Sequence, residues 1–418
     1  MSSAEKRKRR CESGRAFMHE KFIARQPILD TRLQVFAYEL LFRGGPQNSF
    51  QPFANAASSV IADSITLFDL EMLTGHARAF VNVDEMALRL GAPRLLPADR
   101  IVVEILETVS PTQEILGACR ELCSAGYQLA LDDFVDSPEI APLVEFASFL
   151  KIDFQMFDAR TRSALARKYK DNNIRLLAEK VETESEFREA RDLGFSYFQG
   201  YFFCKPSMVE TREIPGNKAI QLQLLTAVAA PELRLDIIEN LLKQEPSLLY
   251  RLLRYLNSPM LGLRSEVRSV RHAIVLLGQN EFRRWASIFA IISMSAGKSP
   301  ELIRTALIRA FFCEELAAAA GLREKGSSLF LMGLLSVTDA LLDKPMREVL
   351  KALPVIQDVK IALCGGANRF REVFELVLAL ERAEWIRISD IAERIGCDES
   401  KIPDSYLSAL LRATSIGA

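Results

Sequence analysis

Short β-rich runs alternate with amphipathic helical segments in the first half of the chain. The runs predict strands at Phe22–Ile28, Val35–Phe42, Ala79–Val83, Ile101–Leu106, Gln128–Leu131, Phe149–Ile152, Arg175–Ala178 and Tyr197–Phe203. Helical segments such as Ser110–Ala125 and Thr183–Leu193 lie between them. Alternation of this kind is typical of a mostly parallel sheet, and eight strands fit a closed (β/α)8 barrel.

The first two predicted strands are joined by a short turn around Asp30-Thr31-Arg32. A parallel crossover needs a dozen or more residues, so this turn requires an antiparallel pair. We therefore expect an α/β fold, a TIM-like barrel with one reversed strand.

Helical periodicity dominates the chain after Pro206. Lys205-Pro206, Pro215-Gly216 and Pro231 interrupt the chain as a linker. Helices are then predicted at Leu235–Lys243, Ser247–Leu256, Val270–Leu277, Asn280–Met294, Pro300–Ala320, Ser328–Leu342 and Met346–Leu353. The pattern predicts an all-helical second domain. The expected organisation is a basic leader over 1–19, a barrel domain over 20–206 and a helical domain over 207–418.

Composition excludes several function classes. The 418 residues carry a net charge of −1, so no global field favours a nucleic-acid polymer or anionic lipid. The richest apolar stretch, near Trp285–Met294, is too short to span a bilayer. The basic run Lys6–Arg10 has no apolar core behind it, so we expect a solvated, disordered leader; a nucleic-acid or membrane tail is the alternative. Met18 is a possible alternative start.

Seven cysteines, an odd number without a CxxC pair, indicate reduced thiols and a cytoplasmic protein. Cys119 and Cys123 share one helix face, and a metal pair there is the alternative to ordinary helix residues. No histidine follows them at ligand spacing.

Polar residues lie at or near the ends of seven predicted strands: Glu39, Asn82, Glu104, Asp132 with Asp133, Lys151, Glu179 and Gln199. Polar groups at the carboxyl ends of successive barrel strands usually serve catalysis or binding. The carboxylate and amide oxygens select Mg²⁺, Mn²⁺ or Ca²⁺ over zinc or copper. Two adjacent aspartates could bridge two ions, which together activate water against a phosphodiester. Arg43 offers a fork for bidentate phosphate binding.

A structural interpretation of these residues remains open. An Asp-Asp pair at a strand end is often a helix N-cap, and strand-end glutamates are often solvated. Seven strands with the same feature favour a site for metal or phosphate.

The motifs resemble the EAL domain, the cyclic-di-GMP phosphodiesterase barrel, over roughly residues 20–206. The resemblance rests on Tyr38–Arg43, Val81–Val83, Glu104–Glu107, Leu131–Phe134, Leu150–Asp153, Ala178–Thr183 and Gln199–Phe203, which follow in the family's order.

The resemblance implies a role for each residue. Glu39, Asn82, Glu104 and Asp132 hold one Mg²⁺ or Mn²⁺, and Asp132 with Asp133 reaches a second. Lys151 positions the attacking water, Glu179 and Gln199 support the metal-bound network, and Arg43 binds a substrate phosphate. Glu107 and Glu182 do not bind the metal themselves but orient the residues that do.

Departures from the family pattern leave two functions open. Leu40, Asp84 and Lys180 replace an alanine, a serine and a glycine, and Val135-Asp136-Ser137-Pro138 replaces a Gly-Thr-Gly-type loop that serves the second metal and the dimer contact. The first hypothesis is a phosphodiesterase that cleaves cyclic di-GMP to the linear dinucleotide. The second is a weak or inactive binding module that relays occupancy by cyclic di-GMP. A scaffold without nucleotide is disfavoured by Arg43, Asn82 and Lys151. A homodimer is expected.

The helical region resembles the HDOD domain, which is similar to HD phosphohydrolases without their metal site. The resemblance rests on Asp236–Ile238, Glu245-Pro246, Leu252–Ser258, Ser269–Ile274 and Leu277-Gly278. The position of the HD pair reads Gly333-Leu334-Leu335-Ser336-Val337, so metal catalysis there is disfavoured. His272 is expected to be structural, and Trp285 with its aromatic neighbours is expected to pack in the core. The domain is expected to bind an unknown protein partner or sense a signal.

Overall fold

The computed structural model describes residues 21–44, 70–169, 173–205, 216–230, 232–244 and 269–417, with positions 249–250, 253–254, 257 and 267. The predicted leader, Met18, most of the linker and most of the helix expected at 247–256 lie outside the described residues. The chain divides into two compact units, one containing the barrel and the other most of the helices after Phe203. The domain boundaries set from the sequence stay predictions.

Eight strands close into a barrel in sequence order, as predicted. They are β1 (Lys21–Asp30), β2 (Val35–Gly44), β3 (Arg78–Val83), β4 (Ile101–Ile105), β5 (Gln128–Leu131), β6 (Ala147–Asp153), β7 (Arg175–Glu179) and β8 (Tyr197–Gln199). β1 pairs antiparallel with both β2 and β8, and the other pairs are parallel. The predicted barrel with one reversed strand is confirmed.

The turn between β1 and β2 is held by an aspartate. The Asp30 Oδ1 atom accepts the backbone N–H groups of Arg32 at 2.8 Å and Gln34 at 2.9 Å. These bonds satisfy the backbone where the chain reverses, as aspartate commonly does in turns.

The last strand is shorter than predicted. β8 ends at Gln199, and Phe202–Cys204 forms a 3₁₀ helix. Gly200 follows β8 with φ of 143°, a conformation that side chains with a Cβ rarely adopt. The apolar run through Phe203 therefore predicted a strand where the chain turns.

Helices connect the strands around the barrel at Leu70–Thr74, Glu85–Arg89, Gln113–Ser124, Ala141–Val144, Ala159–Tyr169 and Glu184–Leu193. Thr183 starts the last of these with a capping box: its hydroxyl accepts the Glu186 N–H, and the Glu186 carboxylate accepts the Thr183 N–H. Such a box satisfies two backbone donors that a helix start otherwise leaves free.

The barrel interior holds an apolar layer directly below a polar one. The apolar layer contains Ile28, Ala37, Phe80, Val102, Ala130, Phe149 and Leu177. Side chains two residues apart on a strand share a face. The residue two positions further along the chain therefore also points inward. From β2 to β7 these residues are Glu39, Asn82, Glu104, Asp132, Lys151 and Glu179, of which Asp132 directly follows β5. Alternation thus places these polar groups at one end of a packed core.

Within the described ranges, the helices bounded after the barrel are Gly216–Ala229, Leu235–Gln244, Val270–Leu277, Gln279–Met294, Pro300–Ala319, Gly326–Leu335, Thr338–Leu342, Met346–Ala352, Gln357–Leu363, Arg369–Glu381, Trp385–Ile395 and Ile402–Gly417. Phe282, Trp285 and Phe289 are buried, so their stripe packs in the core as expected.

The prediction of a single helix at 328–342 is wrong. It is broken after Leu335, where the Ser336 and Thr338 hydroxyls donate to the carbonyls of Gly333 and Leu335. None of the described helices has both the length and the apolarity to cross a bilayer.

Candidate functional site

Lys151 lies at the centre of the polar layer. Its side chain is 1% exposed, and Nζ lies 2.8 Å from an oxygen of Asp132, 2.8 Å from one of Glu179 and 3.5 Å from one of Glu39. Nζ also donates to Oε1 of Glu104, which is fully buried. Residues of β2, β4, β6 and β7 and the residue after β5 thus bring four carboxyl groups to one ammonium. Glu39 lies in the middle of β2, because this strand continues to Gly44.

Amide side chains fix the orientation of Glu39. Asn82 Nδ2 donates to Glu39 Oε1 at 3.1 Å, and Gln199 Nε2 donates to Glu39 Oε2 at 2.6 Å. Asn82 and Gln199 come from β3 and β8, so the closure of the barrel positions both donors.

Gln26 belongs to this group, although the strand-end argument missed it. Its Oε1 atom accepts from Gln199 Nε2 at 2.9 Å, and its backbone lies opposite Glu39 in the β1–β2 register. β1 runs against its neighbours, so its inward residues must be read backward from Ile28. The period of two then gives Gln26 at the height of the polar layer.

Four buried oxygen atoms of this group have no hydrogen-bond partner within the described part of the chain. They are Asn82 Oδ1, Glu104 Oε2, Glu179 Oε2 and Gln199 Oε1. A buried acceptor without a partner is costly, because it has lost its hydrogen bonds to water. Hard oxygen atoms without donors suit Mg²⁺ or Mn²⁺. The residues present therefore fit a divalent cation.

Three carboxylates could take part in a cation site. Oxygen atoms of Asp132, Asp133 and Glu179 all lie within 4.8 Å of one another. Asp133 has a φ of 39°, a left-handed conformation that is uncommon for a residue other than glycine. The chain leaves the strand geometry here, so two adjacent aspartates can contribute to one group.

Burial and the shared ammonium shift the protonation of this group. Burial raises the pKa of Glu104 well above its usual value, and it raises the pKa of Glu179 to about 8. Burial alone would raise the pKa of Asp132, but the Lys151 charge brings it below its usual value. Burial alone would lower the pKa of Lys151, but Glu104 and the other acids raise it well above its usual value. Without a bound cation, Lys151 is therefore protonated at neutral pH and cannot act as a base.

Two residues expected at the site are exposed, outside this buried group, and the side chain of a third is not described. Glu107 is exposed in the turn after β4, and Glu182 is exposed before the helix Glu184–Leu193. The side chain of Arg43, near the end of β2, lies outside the described part of the chain. Their roles stay predictions.

The loop that departs from the family pattern is bound to a helix of the same barrel. Asp136 accepts hydrogen bonds from Lys168 Nζ at 2.6 and 2.7 Å and from the Tyr169 hydroxyl at 2.8 Å. The Lys168 hydrogen bond lowers the pKa of Asp136. Asp84, another departure, caps the helix Glu85–Arg89 by accepting the Ala87 N–H at 2.8 Å. Both substitutions therefore have structural partners.

The position of an HD pair in the helical unit contains a packed turn. A Cβ on Gly333 would lie 2.6 Å from the backbone nitrogen of Ala310, so the two helices touch there. Arg309 Nη1 donates to Ser336 Oγ at 3.1 Å, and Val337 is fully buried. His272 is half-buried at the start of its helix. These side chains form packing and hydrogen bonds rather than a ligand set.

Comparison with known proteins finds two domain families in this chain and relatives that align with nearly its whole length. Residues 82–206 match the EAL domain, and residues 214–351 match the HDOD domain. A Vibrio cholerae protein named cyclic di-GMP phosphodiesterase CdgJ is 34% identical over 397 residues, 94% of this chain and 92% of that protein. The uncharacterised Bacillus subtilis protein YuxH is 33% identical over 399 residues, 93% of this chain and 97% of that protein.

Solved EAL structures are also similar in part. One is a standalone EAL protein from Vibrio cholerae O395 in its c-di-GMP-bound form. It is 26% identical, covers 45% of this chain and 93% of that chain, and has a TM-score of 0.37.

Proposed function

We propose that this protein, which belongs to the family in which an EAL domain is followed by an HDOD domain, binds cyclic di-GMP in its barrel and hydrolyses it to the linear dinucleotide. The observation that supports this most strongly is the meeting of four carboxyl groups at Lys151 Nζ, at the barrel end that carries the active site in TIM-barrel enzymes. The relative named as a cyclic di-GMP phosphodiesterase covers nearly the whole chain.

In this proposal the chain's own residues orient the reacting groups and neutralise negative charge on the phosphodiester. Asn82 and Gln199 hold the Glu39 carboxylate in one orientation, so little reorganisation is needed when substrate binds. In our proposal Lys151 positions a water molecule and stabilises negative charge that develops on the phosphodiester. Arg43 is proposed to bind a phosphate of the dinucleotide.

Glu39, Asn82, Glu104 and Asp132 would hold one divalent cation, and Asp132 with Asp133 would reach a second. Bound Mg²⁺ or Mn²⁺ would supply Lewis-acid activation of water and charge neutralisation. Glu179 Oε2 and Gln199 Oε1, which have no hydrogen-bond partner among the described residues, would complete the surroundings of the cation.

Glu39→Gln is expected to lower turnover of cyclic di-GMP by about 100-fold, a loss similar to that caused by removing one preorganised hydrogen-bond donor from an active site. The substitution keeps the size of the side chain but removes the charge that Lys151 and a cation would meet. Turnover is measured as the linear product formed by the full chain with Mn²⁺.

Glu145→Gln is the matched control, because Glu145 is exposed before β6, at the opposite end of the barrel. It should leave turnover unchanged. Absence of linear product from the wild-type protein would reject the hydrolase.

A second function, capture of cyclic di-GMP without hydrolysis, is favoured by the loop at Val135–Pro138. Asp136 in this loop accepts hydrogen bonds from Lys168 and Tyr169, and this pairing would compete with contact to a second cation. Calorimetry separates the two functions. Saturable binding without product supports the binding module, and absence of binding rejects both.

The remaining proposals concern assembly. We propose that the helical domain over 207–418 relays the state of the barrel domain over 20–206 to an unknown protein partner. We also propose that the protein forms a homodimer. Light scattering of the full chain showing monomer alone would reject the dimer.

A further inference from the structure

A second cationic side chain lies beside the carboxylates of the site. Lys180 follows β7, directly after Glu179. Its Nζ lies 2.5 Å from Asp153 Oδ2 and 3.7 Å from Asp133 Oδ1. The proposed function gives this ammonium no role.

The side chains of Asp153 and Gln155 hold Lys180 in this position. Asp153 is buried, and its Oδ1 accepts the N–H groups of Gln155 at 2.6 Å and Met156 at 3.1 Å. The side chain of Gln155 donates to the Lys180 carbonyl at 3.2 Å. The carboxylate that binds the ammonium is therefore itself fixed, and Lys180 is a tethered charge rather than a free surface lysine.

The conformation of Lys180 is one that glycine adopts with less strain. Its φ is 53°, in the left-handed region. The bonds to Asp153 and Gln155 stabilise a lysine at this position.

Asp133 is the residue that connects Lys180 to the site. Its oxygen atoms group with those of Asp132 and Glu179. Glu179 is buried, and its Oε2 has no partner in the described part of the chain, which independently indicates that this group receives a ligand. A cation bound by these three carboxylates would contact the Asp133 carboxylate. The Lys180 ammonium lies beside the same carboxylate, so the two positive charges would share it.

We propose that Lys180 is a built-in competitor for divalent cations at Asp132, Asp133 and Glu179, and that it weakens binding of the ion that uses Asp133. The proposal rests on the cation site named in the proposed function. The repulsion between an ammonium and a divalent ion a few ångströms apart lowers affinity even at a half-exposed position.

Lys180→Met is expected to tighten Mn²⁺ binding to the metal-stripped full chain by about tenfold at low salt, from the Coulomb repulsion that is removed. Methionine keeps an unbranched side chain without the charge. Isothermal titration calorimetry without nucleotide gives the affinity and the number of ions. Screening predicts that the difference shrinks as NaCl is added. Lys180→Arg keeps the charge and should titrate like the wild type.

Lys180→Gly, which removes both the charge and the backbone strain, is the second neutral variant and should also bind Mn²⁺ more tightly. Equal affinity in the wild type and in folded neutral variants would overturn the proposal, as would an equal shift in Lys180→Arg. Absence of Mn²⁺ binding in every variant would also overturn it, whereas binding by the neutral variants alone supports it. Since no nucleotide is present, an inactive protein with this pattern of affinities would reject hydrolysis but support the role of Lys180.

Discussion

Replacing Lys151 with methionine is expected to lower turnover of cyclic di-GMP by about 10³-fold, the upper range for loss of one preorganised donor. The same change should destabilise the cation-free protein by about 3–5 kcal/mol, because it leaves buried carboxyl groups without their counter-charge. The four acids at Nζ are Glu39, Glu104, Asp132 and Glu179, and all but Asp132 are less than a tenth exposed. Thermal unfolding with and without Mn²⁺ measures the loss, and Mn²⁺ should restore part of it.

The loss of stability in Lys151→Met should depend on pH. The folded-state pKa values of Glu104 and Glu179 are raised by burial. A carboxyl group whose pKa is raised in the folded state contributes stability at pH values below its unfolded-state pKa. That stability is lost as the pH rises through its folded-state pKa. Removal of the ammonium raises these pKa values further, so the variant should lose more stability at about pH 8 than at about pH 5.

Lys168→Met is the matched control for Lys151→Met. Lys168 pairs with Asp136 and is more than half exposed, so solvent already screens its charge. It should change both turnover and unfolding little. Equal effects of the two substitutions would contradict the central place given to Lys151.

The barrel could be predicted from the sequence because its strands and helices repeat in a regular order. The reversed β1 followed from the length of one turn alone. The end of β8 could not be predicted, because it depends on the backbone angle at Gly200 and on contact with Val181, a residue distant in sequence. The break after Leu335 was missed because apolar periodicity continues through it.

Strand ends identified most of the candidate site, since a parallel barrel brings these positions to one rim. Gln26 was missed because its strand runs in the opposite direction. Lys180 lies beyond a strand end, and its contact with Asp133 depends on a left-handed backbone that no local pattern predicts. Glu107 and Glu182 were chosen by resemblance, and the structure exposes both. Alternation along a strand therefore places inward residues well, but not those on the connecting turns.

Gly200→Ala is expected to destabilise the protein by about 4 kcal/mol, from a left-handed φ at about 1–2 kcal/mol and overpacking at about 1–3 kcal/mol. A Cβ there would lie 2.6 Å from the nitrogen and 2.8 Å from the carbonyl carbon of Val181, closer than real side chains approach backbone. The Val181 N–H donates to the Gln199 carbonyl at 3.0 Å, so relief of the clash would move Gln199 away from Glu39. Differential scanning calorimetry should show a transition about 10 °C lower, and turnover should fall with it.

Gly194→Ala is the matched control for Gly200→Ala, because it introduces backbone strain without a steric clash. Gly194 has a φ of 96°, and an added Cβ there would meet no atom within 4 Å. Its substitution should therefore cost only the backbone strain, about 1–2 kcal/mol, and leave turnover unchanged because Gly194 ends a helix outside the barrel. If the two alanine variants unfolded at the same temperature, the close approach of Gly200 to Val181 would not hold, and with it the reason why β8 ends at Gln199.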